Sequence, residues 1–273
     1  RRTAASRPDR PACGPVIRLL SPGEALCCPD PLTGCRIETL ADCYGSMANE
    51  LKADCYRSGE GGVLCHWGDR LLLSGRCDPN ELWDFAMMLG AARIEGLPDA
   101  ARLPDEWHLE QHPALIHVPA VSVSGERPPA VPADRLRRVF ALLCEADPAF
   151  AAESDLLHWL SDLTRRRNRG RAEVFLLEDR ATACLSAIGG GYAYLSMVAA
   201  APGARGQGLG GRLLYAVLQD CSRRKLSVVT AARDSALVPF YLRAGFRPLK
   251  SPLLIATRSR RAAAGGADDK ESD

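Results

Sequence analysis

The amino-acid sequence predicts an α+β protein with two lobes, and three observations support this class. In the C-terminal half, two predicted helices precede three strands that are joined by short turns. A glycine-rich loop then leads into a helix, a strand, a second short helix and further strands. Antiparallel hairpins followed by a strand–helix–strand crossover indicate an α+β fold rather than a doubly wound parallel sheet. A shorter version of the same order of elements occurs in the N-terminal third.

The elements of the C-terminal half follow from the periodicity of its apolar residues. Apolar side chains at helical spacing predict helices at residues 134–145 and 153–167, and Asp134 is expected to cap the first. Turn residues such as Asp179-Arg180 separate the strands that follow. The later elements are strands at 174–178, 181–188 and 192–199, a helix at 209–223, a strand at 226–231, a helix at 237–243 and a final strand pair ending near residue 257.

The N-terminal third predicts a hairpin, a helix and a strand. Residues 62–75 form the hairpin around the turn Gly68-Asp69, and Asp78-Pro79 caps a helix at 81–92. With the strand at 91–96, this order indicates either a degenerate copy of the C-terminal half or an unrelated small α/β lobe. A strand at 115–123 could belong to either lobe. The predicted boundaries are a disordered segment at 1–13, an N-terminal lobe at 14–118, a second domain at 119–257 and a disordered tail at 258–273.

Composition excludes several classes of protein. The chain has 273 residues, 47% of them hydrophobic, which is sufficient for two small cores. Its formal net charge of +2 creates no overall field that would attract nucleic acid or an anionic membrane. No uninterrupted apolar stretch is long enough to span a bilayer, and no signal-peptide pattern is present. We therefore expect a cytoplasmic protein with no nucleic-acid or membrane partner.

The 11 cysteines are concentrated in the first third of the chain. Their spacing is irregular and shows none of the paired units typical of zinc sites. We expect reduced thiols that pack as small hydrophobic side chains, and no metal site. The alternative is a metal cluster, for which the candidate ligands are Cys27, Cys28, Cys35 and His66.

The glycine-rich loop at 205–210 is the sharpest functional signal. It follows a strand and opens a helix, so backbone N–H groups and the helix dipole favour an anion such as a phosphate. The glycine-rich loop is not followed by the Lys-Ser or Lys-Thr pair of a P-loop. A dinucleotide fingerprint is nominally met, but the loop begins several residues after its strand, and the next strand does not end in an acid. Neither of these two phosphate-binding motifs therefore fits.

The run from Val198 to Gly210, Val-Ala-Ala-Ala-Pro-Gly-Ala-Arg-Gly-Gln-Gly-Leu-Gly, resembles the cofactor motif of GNAT acetyltransferases. This resemblance implies the GNAT fold for residues 119–257 and acetyl-CoA as the co-substrate. It also implies that a backbone N–H near Val198 polarises the thioester carbonyl, as an oxyanion donor would. In that family the strand end pairs with the pantetheine arm and the loop wraps the pyrophosphate. The implied binding residues are Val198, Ala199, Ala200, Arg205, Gly206, Gln207, Gly208, Leu209 and Gly210.

A second block, Phe240-Tyr241-Leu242-Arg243-Ala244-Gly245-Phe246, resembles a later motif of the same family. In that family the tyrosine lies near the cofactor sulfur and protonates the departing thiolate, which makes Tyr241 the candidate catalytic acid. A packing role for Tyr241 is the alternative. The family often has Asn seven residues before this tyrosine, whereas this chain has Asp234, so no cofactor contact is expected there.

The resemblance implies an N-acetyltransferase in which a primary amine attacks the thioester directly, without a metal or a cysteine nucleophile. The acceptor would be a small-molecule or peptide amine, bound between the first two helices and their flanking segments. The alternative function is a non-catalytic acyl-CoA sensor that signals to a partner. No general base is evident, although Glu173, Glu178, Tyr192, Tyr194 or Ser196 could order a water for this purpose.

Five arginines between residues 165 and 171 form a basic run at a helix end, where positive charge favours the helix dipole. A solvated helix terminus is the main interpretation, and an electrostatic gate for an acidic substrate is the alternative.

Overall fold

The computed structural model describes residues 16–21, 23–49, 51–98, 102–119 and 129–258. The segment 1–13 and residues 259–273 of the predicted tail 258–273 lie outside the described residues, as do residues 120–123 of the strand predicted at 115–123. Arg258, which the sequence assigned to the tail, is the last residue of the final strand. No helix among the described residues is long and apolar enough to cross a membrane.

The N-terminal lobe begins with a short strand and a helix and continues through two hairpins. The hairpin predicted at residues 62–75 is confirmed and is the second of the two. The helix predicted at 81–92 runs from Pro79 to Met88, and the Asp78 carboxylate caps it by accepting a hydrogen bond from the N–H of Glu81. The elements are β1 (Arg18–Leu19), α1 (Pro31–Tyr44), β2 (Asp54–Arg57), β3 (Val63–Trp67), β4 (Arg70–Ser74), α2 (Pro79–Met88), β5 (Arg93–Glu95), β6 (Trp107–His112) and β7 (Ala114–His117).

The C-terminal elements follow the predicted order, apart from an additional short helix before the second predicted one. The predicted final strand pair is wrong, because the last two strands lie in different sheets. Three short 3-10 turns connect them, at Ala133–Arg135, Pro202–Ala204 and Ser235–Leu237. The elements are α3 (Leu136–Ala146), α4 (Pro148–Glu153), α5 (Leu156–Asn168), β8 (Glu173–Leu177), β9 (Ala181–Gly189), β10 (Tyr192–Ala200), α6 (Leu209–Arg223), β11 (Ser227–Ala231), α7 (Val238–Arg243), β12 (Arg247–Pro248) and β13 (Leu253–Arg258).

Two sheets with the same topology confirm the α+β class. The first has the strand order β1-β2-β3-β4-β5-β13-β6, and the second has the order β12-β7-β11-β10-β9-β8. In each sheet an antiparallel meander is joined through a helix to one parallel strand, β4 to β5 through α2 and β10 to β11 through α6. The N-terminal lobe therefore repeats the connectivity of the C-terminal half.

The two sheets exchange strands, so no single chain position divides them. Strand β7 leaves the first lobe after Pro113 and pairs with β11, while β13 returns from the C-terminal half to pair with β5 and β6. Each sheet is thus completed by a strand of the other half. The boundary placed at 118/119 from the sequence stays a prediction, because the exchanged strands lie on both sides of it.

Helix α1 lies between the two sheets and was not predicted. Its start has a clear signal, because Asp30 caps the N–H of Leu32 and Pro31 occupies the first turn. One side of α1 packs on the first sheet through residues such as Ile37 and Leu40, and another packs on the second sheet through Cys35. Since the helix is buried on both sides, its sequence lacks the single apolar stripe by which a surface helix is recognised.

Two predicted helix starts are wrong. Asp134 does not cap α3, because the chain enters that helix through the 3-10 turn, and the N-cap position is Arg135 with no side-chain cap. The helix predicted from residue 153 begins at Leu156, where the carboxylate of Asp155 accepts from the N–H of His158. Ser154 is extended and separates this helix from α4.

The five arginines at the end of α5 bind other parts of the fold, and three of them join the two lobes, so the predicted solvated terminus is wrong. Three of them bind the last turn of α1, where carbonyl groups and the negative end of the helix dipole favour positive charge. The other two bind the C-terminal lobe itself. Their partners are the carbonyls of Cys43 and Asp42 for Arg165 and Arg169, the Asp42 carboxylate for Arg171, Asp162 and the Ser186 carbonyl for Arg166, and the Val131 carbonyl for Arg167.

Candidate functional site

Strand β10 separates from its parallel neighbour after the first third of its length. Its pairing with β11 covers only Tyr192 to Tyr194 within the described residues. Its pairing with β9 is interrupted twice, and within the second interruption Met197 has a left-handed backbone with φ +52°. A bulge of this kind bends the strand and leaves backbone groups unpaired. The result is a gap between β10 and β11 at their C-terminal ends.

The glycine-rich loop lies at the end of this gap and begins α6. Gly206 and Gly208 have φ values of +77° and +74°, a conformation that a side chain disfavours. A Cβ at either position would meet no heavy atom within 4 Å, so the space in front of the loop is not filled by the described protein. Gly208 is the N-cap of α6 and provides no side-chain cap. The first N–H groups of the helix therefore remain available to an anion.

Polar contacts hold the other loop residues in place. Arg205 donates to the carbonyl of Ala146 at 2.8 Å, which ties the loop to the end of α3. Gln207 accepts from Arg180 at 2.9 Å and donates to the carbonyl of Gly203. Arg180, which lies on the turn between β8 and β9, had no assigned role in the sequence analysis. These contacts fix the loop before any ligand arrives, so little ordering would accompany binding.

The remaining residues that the resemblance implied lie around the gap. Leu209 is buried and packs in the core beneath α6, whereas Gly210 lies within van der Waals distance of the Phe240 ring. Val198 and Ala200 pack toward that same core, and Ala199 faces the core formed by α3 and α5. The structure thus brings all nine residues together along one strand end and one loop, and their binding role stays a prediction.

The corresponding position of the N-terminal lobe is closed. The N-terminus of α2 is capped by the Asp78 carboxylate, which occupies the place that an anion would take. A Cβ on the nearby Gly75 would lie 2.9 Å from a side-chain atom of Pro29, so this space is filled by protein. Of the two helix starts compared, that of α6 is uncapped and faces open space, whereas that of α2 is capped and closed.

Tyr241 lies on α7 beside the gap and is 6% exposed. Its ring packs edge-on against Phe246, with centroids 5.4 Å apart. Burial raises the pKa of the Tyr241 phenol above 10, an effect that a hydrogen bond with Thr230 partly offsets. Thr230 also donates to the carbonyl of Leu195, the first residue of β10 beyond the pairing with β11. The phenol is therefore protonated at neutral pH and lies next to the point at which the strands separate.

Asp234 has a local structural role. Its carboxylate accepts a hydrogen bond from the N–H of Ala236 at 2.8 Å and so caps the turn that precedes α7. This contact accounts for an acid at the position where the similar family often has Asn.

The opposite face of β10 carries residues that sequence reasoning named only as alternatives for a base. The hydroxyl of Ser196 donates to that of Ser186 at 2.8 Å. The ring of Tyr194 is covered by the guanidinium of Arg36, which lies 5.0 Å from the ring centroid and comes from α1 of the N-terminal lobe. The sequence had no signal for this contact, because it depends on how α1 packs between the sheets.

Neither a metal cluster nor a carboxylate cluster is found at this gap. Among the described residues, no group of three or more His, Cys, Asp or Glu side chains is arranged to hold a metal ion. The ten cysteines among the described residues are all free thiols.

Comparison with known proteins finds one matching family model and several similar structures. Residues 156–255 match the family model of the acetyltransferase (GNAT) domain. A GCN5-related N-acetyltransferase from Sphaerobacter thermophilus has a similar structure, with 16% identity and a TM-score of 0.56 over 89% of this chain and 95% of that one. Another from Kribbella flavida has 16% identity and a TM-score of 0.53 over 84% of this chain and 94% of that one. No curated protein sequence matches significantly.

The two structural matches extend over both lobes, so the chain has a GNAT-type fold in a two-lobe arrangement. The family model matches residues 156–255 in the C-terminal half, where the motifs that resemble this family lie.

Proposed function

We propose that the GNAT domain in the C-terminal half of this chain transfers an acetyl group from acetyl-CoA to a primary amine. The observation that carries the proposal is the combination of an opened strand pair and an uncapped glycine loop at its end. A thioester with a long arm and a pyrophosphate needs both features, one for the arm and one for the phosphates.

The open space at the loop and the unpaired edge of β10 support acyl-CoA as the ligand. Gly206 and Gly208 allow the backbone to approach a phosphate closely, and a Cβ at either position would project into the space reserved for it. The edge of β10 beyond Tyr194 can pair with the amide groups of a pantetheine arm, because β11 no longer does so. Bound acetyl-CoA would supply an activated acyl group in the gap.

The chain would contribute two groups to the reaction. A backbone N–H of the bulged segment near Val198 would hold the carbonyl oxygen as negative charge develops on it, without reorganisation. Tyr241 would donate its phenolic proton to the sulfur that leaves, which its raised pKa permits at neutral pH. No cysteine nucleophile is required, because the amine attacks directly.

A panel of amines tests this function. Small amines, polyamines, aminoglycosides and peptides with free N-termini would each be incubated with acetyl-CoA and the protein. Because Cys27 is an exposed thiol, a thiol reagent would also react with the protein. Mass spectrometry of the acetylated amine is therefore the better measurement. We expect transfer to at least one amine class, and loss of that transfer in Gly208→Val.

Two other results would contradict catalysis. Binding of acetyl-CoA without transfer to any amine would favour a non-catalytic acyl-CoA sensor. Failure to bind acetyl-CoA would exclude both functions.

A further inference from the structure

A group of arginines lies between the two lobes and has no part in the proposed reaction. Arg36 and Arg93 both bind the carboxylate of Glu95, at 2.6 Å and 2.9 Å. Arg70 pairs with Arg93 in the register of β4 and β5, so the two side chains lie next to each other on the same face of the sheet. Two guanidinium groups therefore bind one buried carboxylate, and a third guanidinium, of the half-exposed Arg70, lies beside that of Arg93.

This face of the first sheet points toward β10 and β11 of the second sheet. Ile255, the register partner of Glu95, packs into a core that also contains residues of the second sheet such as Val229. Arg36 extends from α1 across this interface and covers the ring of Tyr194. Tyr194 is the last residue of β10 that pairs with β11. The arginine group thus begins at the point where the proposed acetyl-transfer gap opens.

The charges of this group are not balanced. The side chain of Glu95 is 4% exposed, and that of Arg36 is 15% exposed. The ion pair of Arg70 is with Asp69, at 4.0 Å, and this carboxylate is largely in solvent. Partial burial lowers the pKa of Arg70, and its neighbours Arg36 and Arg93 lower it further, although Glu95 opposes them. An additional anion would relieve this excess of positive charge.

A second polar group points to the same place. Thr257 on β13 is the register partner of Arg93 and therefore shares its face of the sheet. The hydroxyl of Thr257 is buried and has no hydrogen-bond partner among the described residues. Buried hydroxyls normally have a partner, so an unpartnered one beside an excess of positive charge indicates a missing acceptor.

We propose that Arg36, Arg70 and Arg93 form an oxyanion subsite for the acceptor, which is an amine that also carries a carboxylate or phosphate group. This inference rests on the proposed acetyl transfer, because it assigns the amine of the same molecule to the gap beside Tyr241. Guanidinium groups bind planar or tetrahedral oxyanions through paired N–H donors, and Thr257 adds a hydroxyl donor. The N-terminal lobe, which lacks an open loop of its own, would thereby select the substrate.

Matched pairs of amines test the subsite. Protein saturated with coenzyme A would be titrated calorimetrically with ω-amino acids of two to six carbons and with the alkylamine of the same length. We expect at least one amino acid to bind about 10-fold or more tightly than its alkylamine, since a hydrogen bond to a charged group contributes at that scale. Aminoethyl phosphate, compared with 3-aminopropanoate, would show which oxyanion is preferred.

The variant Arg70→Gln removes one charge without breaking the pairs of Glu95. It should abolish most of the preference for the amino acid and leave the affinity for the alkylamine unchanged. Arg70→Lys should keep part of the preference for the amino acid. Arg18→Gln is the matched control, because Arg18 is an ion-paired arginine of similar exposure on the distant edge strand of the same sheet. It should change neither affinity.

Three results would overturn the subsite. These are equal binding of amino acid and alkylamine at every length, equal loss of both ligands in Arg70→Gln, and an equal effect of Arg18→Gln. Because the readout is binding, it is separate from catalysis. If the oxyanion preference is found but no acetyl transfer occurs, the proposed reaction fails and the subsite remains. If transfer occurs without the preference, only the subsite fails.

Discussion

Substitution of Gly208 by valine tests the phosphate-binding loop most directly. The backbone of Gly208 has φ +74°, and a Cβ there would meet no protein atom within 4 Å. The variant therefore creates no steric clash in the folded protein. It does force a β-branched residue into the left-handed region, which costs roughly 1–2 kcal/mol. It also places a side chain in the space that an anion at the start of α6 would use.

The expected effects on stability and on binding differ in size. For a chain of this length, each kcal/mol of strain lowers the Tm by about 2–4 °C, so the variant should remain folded at room temperature. Displacing a phosphate from two backbone N–H groups removes two charge-assisted hydrogen bonds of about 1.5–3 kcal/mol each. Together they correspond to a loss of roughly two to four powers of ten in the affinity for coenzyme A.

Gly90→Val is the matched control. Gly90 follows α2 in the N-terminal lobe, has φ +69°, and a Cβ there would also meet nothing within 4 Å. Thermal unfolding should show a similar decrease in Tm for both variants, while calorimetric titration with coenzyme A should show the loss of affinity for Gly208→Val alone. Unchanged affinity in folded Gly208→Val, or the same loss in Gly90→Val, would refute the assignment of the loop.

Three further predictions concern other parts of the chain. Tyr241→Phe should lower kcat by about 10²- to 10⁴-fold with little change in coenzyme A affinity. It should also alter the basic limb of the pH–rate profile. Full activity of the variant would reduce Tyr241 to a packing role. Calorimetry should give one coenzyme A per chain, because Asp78 closes the corresponding helix start in the N-terminal lobe; a second site would contradict this. Although burial raises the pKa of Glu95, Arg36 and Arg93 hold it well below its usual range. Its ion pairs thus stabilise the fold above about pH 4.3, the ordinary unfolded pKa, and this contribution is lost as the pH falls toward the folded pKa. Glu95→Gln should be less stable than wild type in denaturant melts at pH 7, by a margin that shrinks below about pH 4, and a constant margin would argue against the ion pairs as its cause.

The exchange of β7 and β13 makes the two lobes interdependent. Each sheet relies on a strand from the other half, and α1 packs on both sheets. Separate expression of residues 14–118 or 119–257 would leave one sheet without its exchanged strand and expose an unpaired strand edge. The lobes are thus units of topology rather than independent folding units.

The sequence alone determined the elements whose signals are local. The helix that begins after Gly208, the strands on either side of it and the short helix with Tyr241 were all predictable, because turn glycines and apolar periodicity act within a few residues. The motif around Arg205 pointed to the family whose model matches residues 156–255 for the same reason, since the motif consists of consecutive residues. Helix α1 had a local start signal at Asp30-Pro31, but burial on two sides obscured its periodicity.

Only the tertiary structure decided which distant residues meet. The five arginines after residue 164 looked like a solvated helix end, because nothing nearby in the sequence shows that α1 ends beside them. The contact of Arg36 with Tyr194 joins residues that are far apart in the chain, and the exchange of β7 and β13 depends on pairing across the whole chain. Local patterns fix what a segment becomes, whereas the packing of one buried helix between two sheets fixes which charges face the proposed acceptor site.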